Sequence, residues 1–200
     1  MSLLVCFLTG RSDRSNTALS PAQSAFLDAL PIDATERLDV NFPYRPASAP
    51  WRRTPLPIAS VRNARDYLES RGEGFGRRHA AAVREVLTRA DRTLVLAGSC
   101  GLELLANLGL DDDALAGVHV VAYGPVARSR PHVSLETVTG ASDVLARRWT
   151  GSPDHEIAAH HLDYLASPEL RRIVAGAIGR LRSAGAESGV GEDAHGGRRS

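Results

Sequence analysis

The apolar positions of this chain fall into short unbroken runs separated by stretches of helical spacing. Leu3 to Leu8 is one such run, stopped by Thr9-Gly10, and predicts a strand buried on both faces of a parallel sheet. Ser20-Pro21 then opens AQSAFLDALP with a cap residue and a proline at the first helical position, and Pro31 closes that helix. RLDVNFPY, from Arg37 to Tyr44, alternates apolar with polar and predicts a second strand, which Pro43 confines to an edge or a strand end. Residues 45–57 carry Pro46, Pro50, Pro55 and Pro57 around Trp51 and predict an irregular loop. Ile58 to Ala90 predicts two helices split at Gly72-Glu73-Gly74-Phe75-Gly76.

The second half repeats the alternation. Thr93 to Leu96 predicts a strand, Leu102, Leu104, Leu105 and Leu108 mark one side of a helix, and Val118 to Tyr123 and His132 to Thr139 predict two more strands. A short helix over Ser142–Trp149, a short strand over His155–Ala159 and a last helix opened by Ser167-Pro168 follow. Strands alternating with helices argue for a single-domain α/β fold with a mostly parallel sheet over residues 1–182. Residues 183–200, rich in Gly, Ser and charge, predict a disordered tail. The link from Gly124 to Pro131 is too short for a crossover helix, although parallel neighbours normally need about a dozen residues.

Composition removes several function classes. The chain has 200 residues and a formal net charge of +1, without a basic block, which argues against nucleic acid or an anionic membrane as partner. All of its basic residues are arginine, so lysine-based covalent chemistry and a phosphate-loop lysine are excluded. The glycines of residues 72–76 do not make a nucleotide loop, because no strand precedes them and G-x-G-x-x-G is absent. Two cysteines, Cys6 and Cys100, give neither a disulfide framework nor a four-ligand metal set, and Asp111-Asp112-Asp113 lacks the alternating spacing of a calcium loop. No cofactor or metal is expected. The amino terminus carries no recognisable leader and no segment has the roughly 20 apolar residues that span a bilayer, so a cytoplasmic location is expected.

Candidate chemistry sits where the strand ending near Leu96 turns into a helix. Ala97-Gly98-Ser99-Cys100-Gly101 fits small-x-Ser-x-small, a turn so sharp that bulky groups two residues to either side of the serine would collide with it. Such a turn lifts the hydroxyl above the sheet's carboxyl edge and offers the following N–H to an oxyanion. Downstream, Asp143 follows the strand that ends near Thr139, and His161 precedes the last helix, so the order is Ser, Asp, His. Cys100 is a weaker nucleophile candidate, because centring the turn on it puts Leu102 in a position meant for a small residue. His160 competes with His161, and Asp154 and Asp163 with Asp143, but neither aspartate follows a strand end so directly. His119 and His132 lie in or beside strands and read as hydrogen-bonded structural residues, and the pairs Arg77-Arg78 and Arg147-Arg148 as solvated faces. Arg52-Arg53 is a solvated pair or a receiver of an acidic substrate or carrier protein.

These segments resemble the α/β-hydrolase superfamily in a minimal, capless form. The resemblance rests on the Ser99 turn, on His161-Leu162-Asp163-Tyr164-Leu165-Ala166-Ser167-Pro168-Glu169 as its terminal histidine segment, on Gly140-x-x-Asp143 as its acid-bearing turn and on Leu8-Thr9-Gly10 as its oxyanion strand. It departs from the family at Ala97 and at Thr9-Gly10, which lacks the usual histidine. The resemblance implies Ser99 as nucleophile, His161 as general base and acid, and Asp143 as its orienting carboxylate. It further implies backbone oxyanion donors at Cys100 and Arg11, with Gly10 and Trp51 against the substrate, a small-molecule or carrier-bound ester or thioester. An acyltransferase, or a non-catalytic accessory protein that keeps the turn for packing, remains the alternative.

Overall fold

The computed structural model describes residues 1–189. Strands β1 (Leu3–Thr9), β2 (Arg92–Gly98), β3 (Val118–Tyr123), β4 (Ser134–Gly140) and β5 (His155–Ile157) pair side by side in chain order, all parallel. The register sets Thr9 beside Gly98, Gly98 beside Tyr123, Tyr123 beside Val138, and Gly140 beside Ile157. The carboxyl ends of the strands therefore share one edge, where ligands of open α/β sheets gather.

The unbroken apolar runs bury side chains on both faces because successive residues of a strand point to opposite sides. Leu4, Cys6, Leu8, Val95 and Ala97 face one core, filled by helices α3 (Gly74–Leu87), α4 (Gly101–Ala106) and α5 (Asp112–Leu115) through Phe75, Val83, Val86, Leu104 and Leu115. Leu3, Val5, Phe7, Leu94 and Leu96 face the other, filled by α1 (Pro21–Asp28) and α7 (Pro168–Gly189) through Phe26, Leu27, Leu170, Val174 and Ile178. This is a single-domain α/β fold with an all-parallel sheet between helices. The Ser20 hydroxyl accepts from the Gln23 N–H and the Gln23 side chain accepts from the Ser20 N–H, a reciprocal cap that starts α1 where the Ser-Pro pair predicts it.

Helix α2 (Leu56–Ser70) is separated from α3 by Arg71–Glu73, so the predicted break falls at the start of the glycine cluster and Gly74 and Gly76 are helical. Residues 37–44 do not form the predicted strand and make only two isolated bridges, Val5 with Arg37 and Ala18 with Val40. Their alternation serves another purpose: Phe42 and Tyr44 drop into the core, and the Asn41 side chain takes up the Thr9 N–H at 3.1 Å. The parallel step from β3 to β4 is made by residues 124–133 without a helix. Buried Glu103 on α4 holds that crossing by accepting the Arg128 N–H at 2.7 Å and the Ser129 N–H at 3.3 Å. Helix α6 (Val144–Thr150) lies between β4 and β5. Helix α7 continues through residues 183–189 of the predicted tail, and the rest of that tail lies outside the described residues. Among the described residues no helix is long and apolar enough to cross a membrane.

Candidate active site

The strand-to-helix elbow between β2 and α4 has the shape its small residues demand. Ser99 has φ 51°, in the left-handed region that a residue with a side chain rarely adopts. Its N–H donates to the Tyr123 carbonyl at 3.1 Å and its carbonyl accepts from the Val126 N–H at 2.9 Å, so the neighbouring strand and crossing strap the residue from both sides. A Cβ on Gly101 would lie 1.9 Å from the Leu8 carbonyl oxygen, which admits only glycine. The backbone at Ser99 carries a cost of roughly 1–3 kcal/mol that the surroundings must offset. Consequently Ser99→Gly, which relieves that conformation, is expected to be more stable than Ser99→Ala by about 1 kcal/mol. Thermal unfolding checks this, with a melting temperature about 2–4 °C higher for the glycine variant.

The Ser99 Oγ lies 3.1 Å from Nε2 of His161, and His161 Nδ1 lies 2.8 Å from Oδ2 of Asp143. The three come from separate places on the carboxyl edge. Ser99 follows β2, Asp143 follows β4 and caps α6 by accepting the Ala146 N–H at 2.9 Å, and His161 sits between β5 and the 3-10 turn Tyr164–Ala166. Asp143 is fully buried, whereas a quarter of the His161 side chain reaches solvent. Burial pushes the Asp143 carboxyl up, but the Ala146 N–H, His161 and Tyr164 outweigh it and hold it below its ordinary value. An ionised Asp143 accepts the Nδ1 proton of His161, which leaves the Nε2 lone pair facing the serine hydroxyl. A hydroxyl, an imidazole and a carboxylate in this series can pass the hydroxyl proton to the ring as the oxygen attacks.

Tyr164 completes the support of the carboxylate. Its hydroxyl donates to Asp143 Oδ2 at 2.8 Å and accepts the Gly140 N–H at 2.6 Å, so it ties the acid to the end of its own strand. In the sequence Tyr164 belongs to the histidine segment, without a role of its own. A tyrosine three residues after the histidine, on the same turn, was the available signal.

A cavity of about 290 Å³ opens over Ser99 and His161. Gly10 and Trp51 line it, together with Arg52, Asn63 and Leu162. The Trp51 loop and α2 thus contribute to its rim. The competing candidates lie elsewhere or are inert. His160 and Asp163 are exposed, and Asp154 is engaged with the Thr137 N–H and hydroxyl at 2.8 and 2.7 Å. His119 bonds Ser134 and Glu136, and Asp111 caps α5 and pairs with Arg84. Burial pushes the Cys100 thiol up to about 12, which keeps it protonated at neutral pH and unfit as a nucleophile.

The Cys100 N–H meets no acceptor among the described residues. The Arg11 N–H, expected as the second oxyanion donor, is already committed. It donates to Oδ2 of buried Asp66 at 2.9 Å, and the Arg11 guanidinium grips the same carboxylate at 3.0 and 2.6 Å. Asp66 lies on α2, 55 residues from Arg11, and nothing in the local sequence announces the pairing. Among the described residues no three His, Cys, Asp or Glu side chains gather to hold a metal ion. No protein-family model matches this chain, and no curated protein matches it.

Proposed function

We propose that this protein is a serine hydrolase of the α/β-hydrolase type that cleaves a carboxylic ester or thioester through an acyl-enzyme on Ser99. The observation that carries the reading is the unbroken hydrogen-bonded series from Ser99 Oγ through His161 to buried Asp143, built on a serine at φ 51°. A turn that served only packing would have no use for a strained serine aimed at an imidazole. In the reaction, Ser99 Oγ bonds to the substrate carbonyl carbon while His161 Nε2 takes the hydroxyl proton. The carbonyl π pair moves onto oxygen, and its return expels the alcohol or thiol, which leaves with the proton from His161. Water then repeats the sequence on the acyl-enzyme and releases the acid. Asp143 holds the ring in the required tautomer and balances its charge.

The cavity bounds the substrate. Its volume is at the low end for small-molecule sites, and Arg11, Ser12, Asp13, Asn16 and Gln23 contribute polar side chains to the wall. This supports a short acyl group on a polar leaving group rather than a lipid chain. Release of nitrophenolate from a series of p-nitrophenyl esters tests both points. Acetate and butyrate are expected to turn over, with kcat/KM falling at least about tenfold at octanoate, because a pocket that cannot bury the added methylenes gains nothing from them. Absence of turnover at every chain length would contradict the hydrolase reading.

A further inference from the structure

The oxyanion site has a free backbone donor at Cys100, whereas the donor expected at Arg11 is held by Asp66. Beside them stands a side chain with nothing to do. Asn63 lines the cavity together with Ser99, yet its carboxamide makes no hydrogen bond among the described residues, and its Oδ1 is shut away from solvent. Oδ1 is an acceptor sealed against the bare backbone of Gly10, so what the carboxamide can offer the cavity is its NH2, which donates to nothing among the described residues.

Three details fix where the carboxamide sits. A Cβ on Gly10 would come within 2.8 Å of Asn63 Oδ1 and 2.7 Å of the Cys100 sulfur, so the bare backbone of Gly10 is what lets Asn63 approach the elbow. The Asn63 carbonyl lies 3.9 Å from the Cys100 sulfur, which puts α2 directly against the residue that supplies the free N–H. Asn63 and Asp66 are three residues apart on α2 and so share a face. The same helix face that withdraws the Arg11 N–H from the site therefore delivers an amide in its place.

We infer that the Asn63 carboxamide NH2 is the second donor to the substrate's carbonyl oxygen, paired with the Cys100 N–H. Its hydrogen bond strengthens as the carbonyl π pair moves onto oxygen during attack by Ser99, so it acts on the transition state more than on bound substrate. This inference rests on the hydrolase reading above. It assigns a donor to a side chain on the rim helix, which neither the elbow nor the strand after it would have identified.

The test uses the full chain with Asn63→Leu, similar in size and without a donor, and Asn63→Asp, similar in shape with an acceptor in place of the amide. Short nitrophenyl ester turnover and inhibition by a short alkylboronic acid, which forms a tetrahedral adduct on a nucleophilic serine, are measured with thermal unfolding of each variant. Both variants are expected to lose about 10²–10³-fold in kcat with little change in KM. Boronate affinity should fall in parallel, while the melting temperature stays near that of the wild type. Wild-type turnover with kcat of both variants within about threefold would overturn the inference and leave the hydrolase reading intact, since removal of one oxyanion donor should cost far more. Loss confined to KM, with boronate affinity unchanged, would overturn it as well. Wild-type protein that neither hydrolyses the esters nor binds the boronate would sink the hydrolase reading itself, and the inference with it.

Discussion

Ser99→Ala is expected to abolish ester turnover, with a loss on the order of 10⁶ in kcat, the scale seen when a nucleophile is removed from a triad that works as a unit. The size of the effect follows from the lack of any substitute. Cys100 is adjacent, but its thiol lies buried, with a pKa pushed up to about 12, so it offers no thiolate at neutral pH. The fold should be little affected, because the elbow is held by backbone bonds at Tyr123 and Val126 and by the bare Gly101, none of which involve the hydroxyl. Activity lost with a nearly unchanged melting temperature is the expected pair of results. Equal ester turnover in wild type and variant would remove Ser99 from the mechanism.

Asp143→Asn is expected to lower kcat by about 10⁴-fold while leaving KM close to that of the wild type. The substitution keeps the shape of the side chain, and the carbonyl of the new amide can still accept the Ala146 N–H that caps α6. What changes is the other end of the group. An NH2 in place of Oδ2 faces His161 Nδ1 and the Tyr164 hydroxyl, both of which donate to the carboxylate. The ring must then accept at Nδ1 and carry its proton on Nε2, where it has no lone pair for the Ser99 hydroxyl. A stability signature accompanies the kinetic one. The Asp143 carboxyl is held below its ordinary value, so its ionisation contributes stability that is fully present above the unfolded value of about 3.9 and is lost as pH falls through the folded value. The stability difference between wild type and Asp143→Asn should therefore shift against the wild type on acidification below about pH 4. Denaturant titrations at neutral and acidic pH check this, and a difference that does not move with pH would contradict it.

The parts of this arrangement that were legible in the sequence are those dictated locally. The apolar runs of β1 and β2 have no polar face to offer solvent, so they could only be strands of a sheet covered on both faces, with β1 at its edge. Gly98 and Gly101 around Ser99 are forced by the close approach of the Tyr123 ring to the one and of the Leu8 carbonyl oxygen to the other, but the small residues at those positions are visible in the sequence alone. Asp143 and His161 stand out in the sequence because each directly follows or precedes a recognisable element. The misreadings involve partners far apart in the chain. The alternation of residues 37–44 is that of a strand, but the partner it would need along β1 is replaced by two bridges and by side chains sunk into the core. The Arg11 N–H looked free because Asp66 is brought to it by α2, a helix whose sequence shows no more than an ordinary solvated face. Asn63 and Glu103 were invisible for the same reason: each owes its role to a loop that only the tertiary fold places beside it.

In the proposed reaction Ser99 is a nucleophile activated by His161. The most direct test is intact-protein mass spectrometry after incubation with a fluorophosphonate, followed by peptide mapping. A single phosphonyl adduct on the peptide bearing Ser99 is expected, absent from Ser99→Ala and formed far more slowly on His161→Ala. No adduct on the wild type, or an adduct that persists in Ser99→Ala, would contradict the account.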